Sequence, residues 1–234
     1  MTLDLSAPSR RAAFAAAAGL AAGAALVLPG CAKAPDKDVG AVEDLMREHG
    51  ILRRLLVVYR ETAASLRMGG PTLDGGALAE AVDLFRAFGE DYHEKKLEEA
   101  HIFPMVKTAG GPGAAPIDVL IGQHDRGRQL NAYIEARAKA GLSLGDKAAL
   151  ASVLESFARM YEAHAAIEDT VVFQAWRNAL SAKDLDEWGD KFEDIEKATF
   201  KGDGFDMAAD RVAGVEQRLG VSGLGRFTAP PPPP

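Results

Sequence analysis

The chain has 234 residues, a length that suits one domain with a substantial core. Hydrophobic residues make up 47% of it, and its formal net charge is -7 with a pI of about 5.3. An acidic surface repels phosphate backbones, so this balance argues against nucleic acid as a partner. The single cysteine rules out a disulfide bond within the chain.

Residues 1–31 have the features of an export signal. Arg10 and Arg11 precede an uncharged run of small and apolar residues that ends near Leu28. The paired arginines resemble twin-arginine signals, which export folded proteins. An uncleaved transmembrane anchor is the weaker alternative, because a run of about 17 residues is at the lower limit for a span.

The run ends in Leu28-Pro29-Gly30-Cys31, which resembles the processing site of lipoproteins. It predicts a mature chain that starts at Cys31 and carries a lipid there. The alternative is a signal peptidase site followed by a free thiol. We expect a periplasmic protein or a lipoprotein that contacts the membrane only through its anchor.

After a linker at residues 32–40, four long segments have the periodicity of helices, and breaks rich in glycine separate them. They cover about 41–67, 76–108, 115–140 and 146–180. Four helices with short connections predict an all-α fold, with an up-down-up-down four-helix bundle over residues 41–180. Two more helical segments predict a C-terminal helical cap over 181–220, and a proline-rich tail follows at 221–234.

The histidines lie within the four bundle segments, and three of them lie on apolar stripes. The stripe of the first segment is Val42, Leu45, Met46, His49, Leu52, Leu56 and Tyr59. That of the third includes Ile117, Leu120, Ile121 and His124. That of the fourth is Leu150, Val153, Leu154, Phe157, Met160, Tyr161, His164, Ile167, Glu168 and Val171. A single buried histidine is usually a core residue with a partner, but three would need three partners.

Glu168 strengthens the case for a metal site. It follows His164 by four residues, so both side chains project from one helix face about one turn apart. A glutamate between apolar neighbours is costly unless it is paired or bound to a metal. The pair therefore predicts two metal ligands.

The two halves of the bundle repeat each other with a period of about 70 to 75 residues, since His93 matches His164 and His49 matches His124. Glu48 matches Gln123 in the same register. Each half supplies one histidine from its first helix, and a histidine plus a carboxylate from its second. Such halves can enclose two metal ions inside a bundle.

This ordered set resembles the hemerythrin-like, or HHE cation-binding, family over residues 41–180. The resemblance rests on Met46-Arg47-Glu48-His49, on Asp91-Tyr92-His93-Glu94-Lys95 and on His164-Ala165-Ala166-Ile167-Glu168-Asp169-Thr170. Phe192-Glu193-Asp194-Ile195-Glu196 extends it into the cap. By this resemblance two irons are bound, by the terminal ligands His49, His93, His124 and His164 and the bridging ligands Glu98 and Glu168. Manganese and zinc suit the same donors, so iron is implied by the family alone.

The second helix departs from the expected spacing, because Glu98 follows His93 by five residues and Leu97 fills the fourth position. Five residues of regular α-helix leave about 140° between two side chains. One extra residue absorbed as a π-bulge would restore the facing. We therefore predict a π-type irregularity there with Glu98 turned inward. The alternatives are that Glu99 takes this role, or that Glu98 pairs with His101.

The resemblance implies a non-haem di-iron protein that binds O2 or a related small molecule, as a carrier, sensor or scavenger. The oxygen carriers of the family use a fifth histidine, and here Leu120 stands four residues before His124. The shorter set leaves open coordination positions, which favours the alternative of a di-iron redox enzyme that acts on peroxide or nitric oxide. A metal-free helical lipoprotein that acts as an interaction module is the second alternative. Asp169, Tyr92 and Tyr161 are candidates to support the ligands, with plain packing as the alternative for the tyrosines.

Overall fold

The computed structural model describes residues 39–69, 73–140 and 144–233. The predicted export signal, Cys31 and most of the linker lie outside these ranges. Within them every regular element is helical, which confirms the all-α fold, and Ala41–Pro234 forms one compact unit. No helix of the described part is long and apolar enough to cross a membrane.

Six helices make up the described chain, and two of them contain π-helical segments. Helix α1 is Ala41–Arg67. Helix α2 covers 75–109 and consists of α-helix Gly75–Leu84, π-helix Phe85–Ile102 and α-helix Phe103–Ala109. Helix α3 is Ile117–Ala138. Helix α4 covers 144–178 and consists of Leu144–Ile167, π-helix Glu168–Val172 and Phe173–Asn178. Helices α5 and α6 are Ala182–Phe200 and Gly204–Arg218, and 3-10 turns lie at Pro112–Ala114 and Leu224–Phe227.

Local sequence signals define the ends of these helices. The Asp74 carboxylate caps α2 by accepting from the backbone N–H of Ala77, and Ser181 forms a reciprocal capping box with Asp184 at the start of α5. Gly110 and Gly111 follow α2 with φ angles of 75° and 76°, a conformation that glycine adopts without strain. The turn between α2 and α3 therefore lies where the glycine-rich break predicts it.

The residues of the predicted apolar stripes are buried or half-buried, except for two that are exposed. Met46 and Ile167 are each 40% exposed, so including them in the buried stripes was wrong. Val171 is only half-buried, and the neighbouring Val172, four residues after Glu168, is fully buried instead.

Two aromatic clusters lie on α4 before and after His164. The first joins α1, α2 and α4 through Tyr59, Phe85, Phe157 and Tyr161, whose neighbouring ring centroids are 4.7 to 6.4 Å apart. The second joins α4 to α5 through Trp176, Trp188 and Phe192. Rings of this size bury large apolar areas, so the stretch of bundle between them is shielded from water.

Candidate metal centre

Two glutamates lie between these aromatic clusters with no exposed surface. Glu98 comes from the π-helical part of α2, and Glu168 is the first residue of the π-helical segment of α4. None of their four carboxylate oxygens has a hydrogen-bond partner within the described ranges. A buried ionised carboxylate without a partner is strongly disfavoured, so the arrangement requires a cation or a proton.

Two pairs of buried histidines face these carboxylates. The Nε2 atoms of His49 and His93 are 3.0 Å apart, and so are those of His124 and His164. Each pair joins a first and a second helix of the repeat: α1 with α2, and α3 with α4. The four predicted terminal ligands are thus brought together as two separate pairs.

Each glutamate spans both histidine pairs. Glu98 directs Oε1 to His93 Nε2 at 3.3 Å and Oε2 to His124 Nε2 at 3.4 Å. Glu168 directs Oε1 to His164 Nε2 at 2.9 Å and Oε2 to His49 Nε2 at 3.5 Å. All six residues predicted to bind metal therefore lie around one buried centre.

These separations fit metal coordination. Nitrogen and oxygen ligands that bind one ion at about 2 Å lie roughly 3 Å from one another. The Nε2 atoms and carboxylate oxygens have this spacing, and their lone pairs otherwise face each other. Imidazole with carboxylate is a donor set that suits iron, manganese or zinc.

The prediction of a π-type irregularity with Glu98 turned inward is confirmed. The backbone N–H of Phe103 donates to the carbonyl of Glu98, five residues earlier. The π-helical segment runs over 18 residues, Phe85–Ile102, so the expectation of a single local bulge was too narrow. The second π-helical segment, where Phe173 N–H donates to the Glu168 carbonyl, was not predicted.

The two π-helical segments place matching aromatic rings on the histidines. Phe103 stacks on His124 with ring centroids 5.7 Å apart, and Phe173 stacks on His49 at 5.3 Å. Each phenylalanine follows its glutamate by five residues. The repeat in the sequence is therefore also a repeat of contacts around the centre.

The outer nitrogen of every paired histidine has its own hydrogen-bond acceptor. The contacts made by the four Nδ1 atoms are His93 to Glu48 at 2.6 Å, His49 to Asp169 at 2.7 Å, His124 to Glu99 at 2.8 Å and His164 to Gln123 at 3.0 Å. A carboxylate only accepts, so it keeps the proton on Nδ1 and leaves the Nε2 lone pair free for a metal.

These acceptors form a crossed pattern. Glu48 and Gln123, which directly precede His49 and His124, accept from His93 and His164. Glu99 and Asp169, which directly follow Glu98 and Glu168, accept from His124 and His49. Of the four, only Asp169 was proposed as a supporting group. The Glu48 and Gln123 positions were visible in the repeat, directly before the histidines, but their role was not predicted.

The structure also separates the alternatives for α2. Glu99 lies on the outer side of His124, and its carboxylate also contacts Arg128. His101 lies among the second aromatic cluster instead, with its ring 5.0 Å from that of Trp188. Neither replaces Glu98 between the histidine pairs.

Both candidate tyrosines hydrogen-bond to buried glutamates near the centre. Tyr92 donates to Glu48 at 2.8 Å and Tyr161 donates to Glu94 at 2.8 Å. Glu94 also accepts from Arg128 at 3.1 Å, and its position was not singled out from the sequence. One turn earlier, the buried Glu90 accepts from Asn131 at 2.8 Å. Burial and the nearby charge of Glu94 raise the pKa of Glu90 to about 7.

The buried charges shift the protonation of the centre in opposite directions. Burial and the charge of Glu98 raise the pKa of Glu168 well above its usual value. Burial, helped by His124, lowers the pKa of His164 to about 4. Burial also disfavours the charged form of His93, but Glu98 and Glu48 outweigh it and raise its pKa well above normal. Protons at Glu168 and His93 therefore occupy the donors for which a metal ion competes.

A small cavity of ≈ 10 Å³ adjoins the centre. Its wall is formed by His49, Leu52, Arg53, Leu56, His93, Glu94, Glu98, Tyr161, His164, Ala165 and Glu168. This volume is about that of one water molecule. In the repeat, Gly127 and Asn131 of α3 correspond to Leu52 and Leu56 of α1, so α3 lacks these two apolar side chains at the matching positions.

Comparison with known proteins agrees with this geometry. The model of the hemerythrin HHE cation binding domain matches residues 40–176, which include all six buried histidine and glutamate residues of the centre. Uncharacterized proteins of Mycobacterium bovis and Mycobacterium tuberculosis are 40% identical over 192 residues, which is 81% of this chain and 74% of theirs. No solved structure is significantly similar to the chain. Since this family match covers more than half of its residues, the chain belongs to the hemerythrin HHE cation-binding family.

Proposed function

We propose that the protein holds two iron ions and binds O2 or a related small molecule, as a carrier, sensor or scavenger. The observation that supports this most is the position of Glu98 and Glu168. Their buried oxygens, which lack hydrogen-bond partners among the described residues, lie between two pairs of histidine Nε2 atoms.

In this proposal His49 and His93 hold one ion, and His124 and His164 hold the other. Glu98 and Glu168 would each contribute one carboxylate oxygen to either position. Manganese and zinc would fit the same donors, so iron is inferred from the family. Bound ferrous ions would supply the electrons and the open coordination positions that O2 binding requires.

The protein's own residues limit what can reach the centre. Leu52, Leu56 and Ala165 give part of the cavity an apolar wall, and its volume of ≈ 10 Å³ is about enough for one water-sized molecule. Apolar walls also exclude bulk water, which keeps the buried carboxylates available to cations. These features favour small uncharged ligands over organic substrates.

A di-iron redox enzyme acting on peroxide or nitric oxide is the second candidate. It is favoured by the short histidine set, since the buried Leu120 occupies the position four residues before His124. Tyr161 and Glu94 also lie at the cavity, where they could hold a substrate proton or oxygen in place.

The first experiment is metal analysis after anaerobic loading of the full chain with Fe(II). We expect two irons per chain, and about one or none in His164→Ala or Glu168→Ala. A folded protein that stays metal-free after loading would contradict the proposal and favour the metal-free interaction module. Controls are circular dichroism of each variant and the exposed Glu162→Ala on the same helix.

A second measurement separates the two functions. The loaded protein is exposed to O2 and then to argon while its absorption spectrum is recorded. A stable, reversible spectral change supports a carrier or sensor. Repeated consumption of peroxide or nitric oxide by catalytic amounts of protein supports the enzyme.

Two further parts of the proposal concern the whole chain. We infer an up-down-up-down order for α1 to α4 from their short connections at 68–74, 110–116 and 139–143. Export to the periplasm and a lipid anchor at Cys31 are proposed from the sequence of residues 1–31 alone.

A further inference from the structure

The four hydrogen bonds to the outer nitrogens of the histidines are not equivalent. Three of them end on carboxylates, and the fourth, from His164 Nδ1, ends on the amide oxygen of Gln123 at 3.0 Å. The repeat pairs Gln123 with Glu48, which holds His93 at the shorter distance of 2.6 Å. One histidine pair therefore has a charged acceptor where the other has a neutral one.

Two other contacts of the histidine pairs match. Phe173 stacks on His49 as Phe103 stacks on His124. The acceptors of these two histidines are both neutralised by arginine. Arg53 contacts Asp169, as Arg128 contacts Glu99. The acceptor at position 48 or 123 is thus a difference in direct contact with a ligand histidine.

Glu94 is a second charged residue that differs between the two halves, since the corresponding residue in the repeat is Ala165. Its Oε2 atom lies 4.0 Å from Nδ1 of His124, and its carboxylate accepts from Tyr161 and Arg128. Arg128 offsets the charge of Glu94, and the contact is with His124. Glu94 therefore does not replace the hydrogen bond between His164 and the amide oxygen of Gln123.

We propose that Gln123 makes the His124–His164 position the weaker of the two metal positions, so that the His49–His93 position fills first. A carboxylate that accepts from Nδ1 makes the imidazole a stronger electron donor, and loss of such a partner costs about 10- to 100-fold in metal affinity. The inference rests on the proposed pair of metal ions and adds an order of filling to it. Gln123 acts as a positioning residue that sets affinity through His164.

The test is a titration of the metal-free full chain with Co(II), and with Fe(II) under anaerobic conditions, in competition with a chromogenic chelator. We expect two binding steps whose dissociation constants differ by about tenfold, the lower end of that range, because Gln123 still accepts from His164. In Gln123→Glu the weaker step should tighten by about tenfold and approach the first. In Glu48→Gln the tighter step should weaken by a similar factor, which provides a second variant if Gln123→Glu does not fold.

The matched control is Gln129→Glu, which adds the same charge at an exposed position of the same helix and should leave both steps unchanged. Thermal unfolding of the metal-free variants verifies that each is folded. Two equal steps in the natural chain, or two steps that neither Gln123→Glu nor Glu48→Gln moves, would overturn the inference while the metal centre stands. Failure of the natural chain to bind either metal would instead overturn the metal centre itself.

Discussion

The hydroxyl of Tyr161 in α4 reaches across to Glu94 in α2 and lies directly against Gly127 in α3. A Cβ atom at position 127 would lie 2.0 Å from the hydroxyl oxygen and 2.7 Å from the ring carbon that bears it. The contact between three helices therefore depends on the absence of a side chain at Gly127. The hydroxyl donates to the Glu94 carboxylate at 2.8 Å, and this hydrogen bond holds Glu94 beside the centre.

We expect Gly127→Ala to lower the free energy of unfolding by about 1–3 kcal/mol, because the added methyl group displaces the buried Tyr161 ring. Chemical denaturation measures this change. Gly122→Ala is the matched control, since a Cβ there meets nothing within 4 Å, and a helical alanine is favoured over glycine by about 1 kcal/mol. Equal effects of the two substitutions would contradict the proposed role of Gly127.

His101 and His124 should respond differently to the same substitution. His124→Gln removes an Nε2 donor from the centre, so we expect iron content to fall to one ion or fewer per chain. His101→Gln should leave two, because its ring lies beside Trp188. Iron analysis after identical loading compares the two variants. Loss of metal from His101→Gln at unchanged stability would return His101 to the ligand set.

Glu90 should make the metal-free protein less stable as pH rises. Its folded-state pKa of about 7 lies above that of an unfolded glutamate, so the folded chain keeps this proton to higher pH. The contribution of protonated Glu90 to the free energy of unfolding is fully present below the pKa of an unfolded glutamate, and it is lost as pH rises through about 7. Glu90→Gln should remove it, and should raise the free energy of unfolding relative to the natural chain at pH 8 by up to about 3 kcal/mol.

Denaturation curves at pH 5 and pH 8 measure this difference. The exposed Glu43→Gln serves as control and should shift stability equally at both values. A Glu90→Gln variant with the same pH dependence as the natural chain would show that Glu90 does not titrate in this range.

Cys31 should carry a lipid and form the first residue of the mature protein. The prediction rests on the Leu28-Pro29-Gly30-Cys31 sequence after the paired arginines. Intact-mass and N-terminal peptide analysis of protein from membranes measures it, with Cys31→Ser as the unlipidated control. An unmodified N-terminus at another residue would rule it out.

Periodicity predicts the helices well because each buries one continuous apolar face. It fails where the helix itself changes pitch: Phe173 follows Glu168 by five residues, yet it is buried and stacks on His49. The irregularity in α2 was predictable because the His93–Glu98 spacing does not fit a regular helix. Its length was not, since no comparable mismatch marks where it begins at Phe85.

The residues of the metal centre could also be predicted only in part from the sequence. Histidines and Glu168 on apolar stripes are conspicuous, because such residues need a reason to be buried. Glu48 and Gln123 are less so, since a polar residue beside a histidine is common on any helix surface. Only packing of α1 against α2, and of α3 against α4, gives them their contacts.

The repeated contacts have a consequence for how such a bundle is assembled. A hairpin of α1 and α2 alone would hold His49, His93 and Glu98, but it would lack the second carboxylate, which Glu168 supplies from the other half. The same is true of α3 and α4, which need Glu98. Two copies of one ancestral hairpin related by a twofold axis would complete both positions at once. The two halves of this chain therefore complete each other as the subunits of a homodimer would, and Gln123 is a position where the halves differ.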